Sequence, residues 1–153
     1  MSMHIDGKKV TAMYWGGQKI REAWYGGQRV FSGKPVEVMP AVSGAYDARN
    51  WLQAKLTEYG EDYRTVEEIP FEIDTGQATT MHEMFRDCSS LTTVPAMDTS
   101  QVTDMADMFR GCSSLTDGNV RLIGKRTGAS TMRMIQDSGL TREPFYDSSG
   151  QPI

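Results

Sequence analysis

The sequence predicts an α+β fold, in which a short N-terminal antiparallel β meander precedes a small capped repeat solenoid of about three turns. Two internal periodicities and one amphipathic segment carry that expectation. The stronger periodicity is a near-duplication. "MHEMFRDCSSLTTVP" begins at Met81 and "MADMFRGCSSLTDG" at Met105, a period of 24 residues. Met84 maps onto Met108, Phe85 onto Phe109, Cys88 onto Cys112 and Leu91 onto Leu115. A repeat of this length is one supersecondary unit that cannot bury its apolar face alone, so copies must stack. The weaker periodicity is shorter, with units starting at Gly7, Gly17 and Gly27.

In these N-terminal units a basic residue precedes an aliphatic one (Val10, Ile20, Val30), and the first two units then carry aromatic pairs, Tyr14-Trp15 and Trp24-Tyr25. The pairs Gly16-Gly17 and Gly26-Gly27 supply the positive φ that tight hairpins require. Residues 1–32 are therefore read as three short antiparallel strands in a meander. Tyr14, Trp15, Trp24 and Tyr25 form a candidate aromatic docking patch, although so small a sheet also needs that area for its own packing. Residues 33–44 hold two prolines and no helical period, and read as a linker.

Residues 45–153 read as the repeat domain. It opens with a helix in which Ala48, Leu52, Leu56 and Tyr59 share a face, with Asp47 as N-cap and Gly60 as stop. This helix is expected to cap the array, because an end repeat has one face without a neighbour. Within the array, Leu91, Val94 and Met97 point inward from a short strand. Val102, Met105, Met108 and Phe109 are spaced to share one face of a short helix. "STMRMIQDSGLT" from Ser130 to Thr141 reads as a decayed third copy, with Met134, Ile135 and Leu140 in the apolar slots and Ser138 in the cysteine slot. The polar positions Thr92, Thr93 and Thr116, with Glu67 and Glu68 in the preceding turn, are the candidate recognition face.

Composition excludes several classes. A net charge of −4 gives no basic footprint for nucleic acid. No apolar stretch reaches membrane-span length, and the start "MSMHIDGKKV" lacks the apolar core of a secretory signal, so synthesis in the cytoplasm without a cleaved leader is expected. Cys88 and Cys112 occupy the same slot of successive copies. A cross-rung disulfide or metal pair is one reading, and a small buried residue filling the slot is the favoured one. His4 and His82 fall in different modules and complete no metal set, so neither metal nor cofactor is expected. His82 lacks the second histidine of a zinc-protease motif, and Asp104 and Asp107 read as a solvated face. No nucleophile, base and orienting group come together, so no enzyme is expected.

The run from Met81 to Leu115, "Met-Phe-x-x-Cys-x-x-Leu" followed by "Val-Pro-x-x-Asp-Thr-Ser-x-Val-Thr-x-Met", resembles the BspA-like class of leucine-rich repeats. The likeness weakens outward to Ile69 and Leu140. It implies a right-handed leucine-rich-repeat solenoid of parallel strands and short helices, used for adhesion and protein binding on bacterial surfaces and in some phage proteins. Residues Ile5 to Phe31 resemble the glycine-punctuated β repeats of bacteriophage tail and head-fibre proteins. Together these resemblances imply a non-enzymatic phage or prophage structural protein of tail or fibre type. Its partners would be a protein or cell-surface ligand and other virion subunits, and it would reside in the virion. A bacterial cell-surface adhesin fragment is the alternative.

Overall fold

The computed structural model describes residues 34–153 and, before them, the backbone pairing of six short strands between His4 and Phe31. The chain divides into two units, Met1–Pro35 and Val36–Ile153. In the first, β1 (His4–Ile5) pairs with β2 (Lys8–Lys9), β3 (Met13–Trp15) with β4 (Gln18–Ile20), and β5 (Ala23–Tyr25) with β6 (Gln28–Phe31). All three pairs are antiparallel, and each stands as its own two-stranded sheet. The expected meander is therefore corrected to three separate hairpins. The reason is local. Glycine lies between the partners of every hairpin, whereas Val10-Thr11-Ala12 and Arg21-Glu22, which join one hairpin to the next, contain no turn-forming residue.

The second unit begins inside the segment read as a linker. β7 (Val36–Val38) pairs in parallel with β8 (Glu72–Asp74), placing Val36 beside Glu72 and Val38 beside Asp74. A second sheet joins β9 (Met97–Asp98), β10 (Leu122–Ile123) and β11 (Phe145–Tyr146), all parallel, with β10 in the middle. Isolated parallel bridges tie Glu68 to Thr93, Thr80 to Asp104 and Asp104 to Ser130. Residues about one repeat apart thus lie side by side.

Helix α1 (Asp47–Glu58) buries Ala48, Leu52 and Leu56, as their spacing requires. Its N-cap is Tyr46, which makes no side-chain cap bond. Asp47 lies just inside the helix, and its carboxylate accepts the Gly44 N–H at 2.8 Å. The chain leaves the helix through Gly60, at φ +76°.

α1 is the only α-helix among the described residues, and this overturns the α+β leucine-rich-repeat solenoid expected from the sequence. The segments from Met81 to Cys88 and from Met105 to Cys112 are successions of tight turns. Two features prevent helix formation. Glu83 and Asp107 both adopt φ +55°, and Asp87 and Gly111 adopt φ +63° and +76°, so a left-handed residue interrupts each segment twice. In addition, alternate N–H groups leave the segment altogether. Those of Met81, Glu83, Phe85 and Asp87 donate to the next copy, while those of Met84, Arg86 and Cys88 bond three residues back. No N–H is left for an α-helical ladder.

The apolar residues of these turns line one continuous core. Met81, Met84, Phe85, Cys88 and Leu91 are fully buried, as are Met105, Met108, Phe109, Cys112 and Leu115. Phe85 and Phe109 stack with ring centroids 5.5 Å apart and planes 12° from parallel. In the third copy Met134 and Leu140 are buried and Ile135 packs at the margin.

Candidate functional site

Three groups of side chains stand out along the stack. The first is the polar edge expected as a recognition face. Glu67, Glu68, Thr92 and Thr116 are exposed and Thr93 is half-buried, and the stacking brings them onto neighbouring rungs. The Thr92 hydroxyl donates to the Glu67 carbonyl at 3.0 Å, and the Thr93 hydroxyl donates to the Asn119 carbonyl at 3.1 Å. Asn119 completes the group. Its Nδ2 donates to the Thr92 carbonyl at 3.3 Å and to the Thr116 hydroxyl at 3.1 Å. Sequence reasoning missed Asn119, since it lies in the irregular run after the second copy and has no counterpart at the matching place in the first. The edge offers hydroxyl, amide and carboxylate groups on a backbone fixed by the core beneath.

The second group is a stack of clamped carboxylates. Glu83 and Asp107 occupy the same left-handed slot of successive copies and are both buried. Glu83 is held by Arg49 at 3.0 Å and by a close contact from Arg86. Asp107 is held by Arg133 at 2.8 Å and by Arg110 at 3.3 Å. Burial of a carboxylate is tolerable only with such charge pairing. Asp107 was expected on a solvated face, and the absence of a helix explains why it is not there. His82, Glu83 and Asp107 bring ligand-type atoms within 4.8 Å of one another. Both carboxylates already face guanidinium groups, and a cation between them would have to displace those. His82 Nδ1 lies 3.3 Å from Asp104 Oδ2 but forms no hydrogen bond in that geometry.

The third group surrounds the thiols. Cys88 and Cys112 are both free and buried. Cys112 Sγ contacts the Phe85 carbonyl at 2.9 Å. Burial pushes the Cys88 thiol up to about 12, and it raises Cys112 as well. Thiolate is the reactive form, so neither sulfur is expected to react with a thiol reagent in native protein at pH ~8. Both should react within seconds once urea unfolds the chain. Fast labelling of the native protein would contradict this placement. Tyr63 closes the same end of the core, its single hydroxyl proton shared between the carbonyls of Met84 at 2.9 Å and Arg86 at 3.0 Å.

A further cross-copy tie joins Asp117 to Thr141. The carboxylate accepts the Thr141 N–H at 3.1 Å and also its hydroxyl. The hydroxyl bond, then the N–H bond, hold the Asp117 carboxyl below its ordinary range. A lowered folded-state pKa gives stability that is present above the unfolded value of ~3.9 and is lost as pH falls through the folded value. Asp117→Asn is therefore expected to flatten part of the fall in Tm on acidification below pH ~4. An unchanged acid profile would remove Asp117 from the account.

The aromatic group named from the sequence divides by backbone only: Tyr14 and Trp15 lie in β3, and Trp24 and Tyr25 in β5. Their side chains lie outside the described residues. Among those residues no helix is long and apolar enough to cross a membrane.

A core assembled from stacked copies, with a polar edge braced across them, defines a repeat protein. Residues 52–138, more than half of the chain, match the family described as "Mycoplasma protein of unknown function, DUF285", and the chain belongs to that family. This family is BspA-like, in agreement with the resemblance of Met81 to Leu115. Comparison with curated proteins and with solved structures gave no match.

Proposed function

We propose that this chain is a non-enzymatic recognition protein that binds a protein or cell-surface ligand through the edge formed by Glu67, Glu68, Thr92, Thr93, Thr116 and Asn119. The observation that carries this reading is the bracing of that edge. Thr92, Thr93 and Asn119 each bond across copies, so the polar groups are set in place before a ligand arrives. Preorganisation of this kind lowers the ordering cost of binding. Membership of a BspA-like family supports the same reading. The test is binding of the fluorescently labelled full chain to intact cells of the source strain. Glu67→Lys, which leaves the backbone carbonyl that Thr92 uses in place, should weaken binding at least about tenfold by reversing the charge on the contact surface. Thermal unfolding should stay unchanged. Equal binding by the variant would remove this edge from the function.

The carrier of this face is, in our reading, a phage or prophage particle. The glycine-punctuated hairpins between His4 and Phe31 would serve as the attachment or assembly element. The alternative is a bacterial cell-surface adhesin. Mass spectrometry of density-purified induced particles beside washed cell envelopes separates the two. Enrichment in particles supports the virion reading, and enrichment in envelopes supports the adhesin.

A further inference from the structure

The hydrogen-bond ladder between copies has a direction. In the first copy, the N–H groups of Met81, Glu83, Phe85 and Asp87 donate to the carbonyls of Asp104, Ala106, Met108 and Arg110 at 2.7–3.0 Å. In the second, those of Met105, Asp107, Phe109 and Gly111 donate to Ser130, Met132, Met134 and Gln136 at 2.8–3.0 Å. The matching donors of the third copy are the N–H groups of Thr131, Arg133, Ile135 and Asp137. Among the described residues, none of these four meets an acceptor. The N–H groups between them turn inward, as Met134 does to Thr131 and Gln136 to Arg133. The last copy therefore ends in a row of donors with no acceptors among them. Unpaired backbone donors in a row are a template for another chain.

The side chains along this edge continue two columns of the stack. The charged column runs Glu83, Asp107, Arg133, all left-handed, with φ +55°, +55° and +53°. Arg133 reaches back to Asp107, yet its side chain remains 51% exposed. The apolar column runs Phe85, Phe109, Ile135, and beside it Met132 is 63% exposed.

We propose that this open edge binds a segment of a partner protein that runs parallel to residues 131–137 and turns as the chain's own copies do, with an acidic residue two positions before an apolar one. The interfaces between the chain's own copies define that occupant. Its alternate carbonyls would accept the four N–H groups, its acid would meet the free side of Arg133, and its apolar residue would cover Ile135. The chain carries the same spacing itself in Asp107-Met108-Phe109. Addition of a peptide to an open row of backbone donors is a recurring mode of recognition, and here the added backbone would follow the tight turns of residues 131–137. A second copy of this chain does not fit the role. The carbonyl row it would offer includes Met84 and Arg86, which Tyr63 occupies.

The test is a titration of the isotope-labelled full chain with a capped synthetic peptide of the sequence Asp104–Gly111, followed by amide NMR. Shifts should concentrate at Thr131, Arg133, Ile135 and Asp137, and hydrogen exchange at those amides should slow. The same peptide carrying Asp107→Lys should bind at least about tenfold more weakly, because a charge-assisted bond becomes a repulsion. Three results would overturn the proposal: no saturable shift at millimolar peptide, equal affinity of the two peptides, or protection of the four amides before any peptide is added. The last would mean that the chain or a second copy already covers the edge. The polar edge assigned above is not part of this measurement, so failure of either leaves the other standing.

Discussion

Replacing Gly139 with alanine is expected to lower the Tm by about 10 °C, a loss of about 3 kcal/mol. The Gly139 N–H donates to the Cys112 carbonyl at 3.1 Å, which draws the third copy tightly onto the second. A Cβ at this position would fall far inside contact distance of the Leu115 carbonyl oxygen and 3.0 Å from that of Ser113. Both obstacles are backbone. Neither can rotate aside as a flexible side chain would, so relief requires separating two copies. Gly128 is the control: its φ of +78° disfavours a side chain, but nothing lies within 4 Å of the added carbon. Gly128→Ala should therefore cost only about 1 kcal/mol, the strain of a left-handed residue. Equal losses in thermal melts of the two variants would show that the clash at Gly139 is not the cause.

Phe109→Ala should destabilise the protein by about 3–5 kcal/mol in urea unfolding, with the m-value unchanged. The ring is fully buried and stacks on Phe85, so truncation leaves a cavity inside the stack, away from its ends. The bonds from Phe85 to Met108 and from Phe109 to Met134 hold the backbone on both sides, which limits collapse into the void. Phe109→Leu should cost less than half as much, since most of the volume remains. Pairing Phe109→Ala with Phe85→Ala tests the stack itself. The double variant should fall short of the summed single losses by about 1 kcal/mol. Strict additivity would mean that the two rings are buried independently.

The copies, their apolar slots and the end helix were legible because burial leaves a mark on residue type. Every inward position named between Met81 and Leu115 is buried. The conformation joining those positions was not legible. Val102, Met105, Met108 and Phe109 fall at helical spacing, yet a chain that turns at every third residue also returns them to one side. What separates the two cases is the backbone at Glu83, Asp87 and Asp107, and an acidic residue in the left-handed region looks in sequence like any exposed acid. The same ambiguity hid the carboxylate clamps, since Arg49 and Glu83, like Arg133 and Asp107, lie more than a full repeat apart along the chain. The polar edge was legible in part. Its threonines recur with the repeat, whereas Asn119 belongs to the stretch where the repeat loses its period.

That loss of period bears on how such a chain can change. The step from Asp107 to Arg133 is longer than the step from Glu83 to Asp107, yet both rungs pair in register. The exposed bends at Gly118 and Gly128, both left-handed with open space around them, lie where the surplus can be taken up. Insertions and deletions can therefore accumulate at these outer corners while the buried column keeps its alignment. A lineage built on this plan is free to vary the length and chemistry of its rim one residue at a time, and copies that no longer match in sequence can still stack.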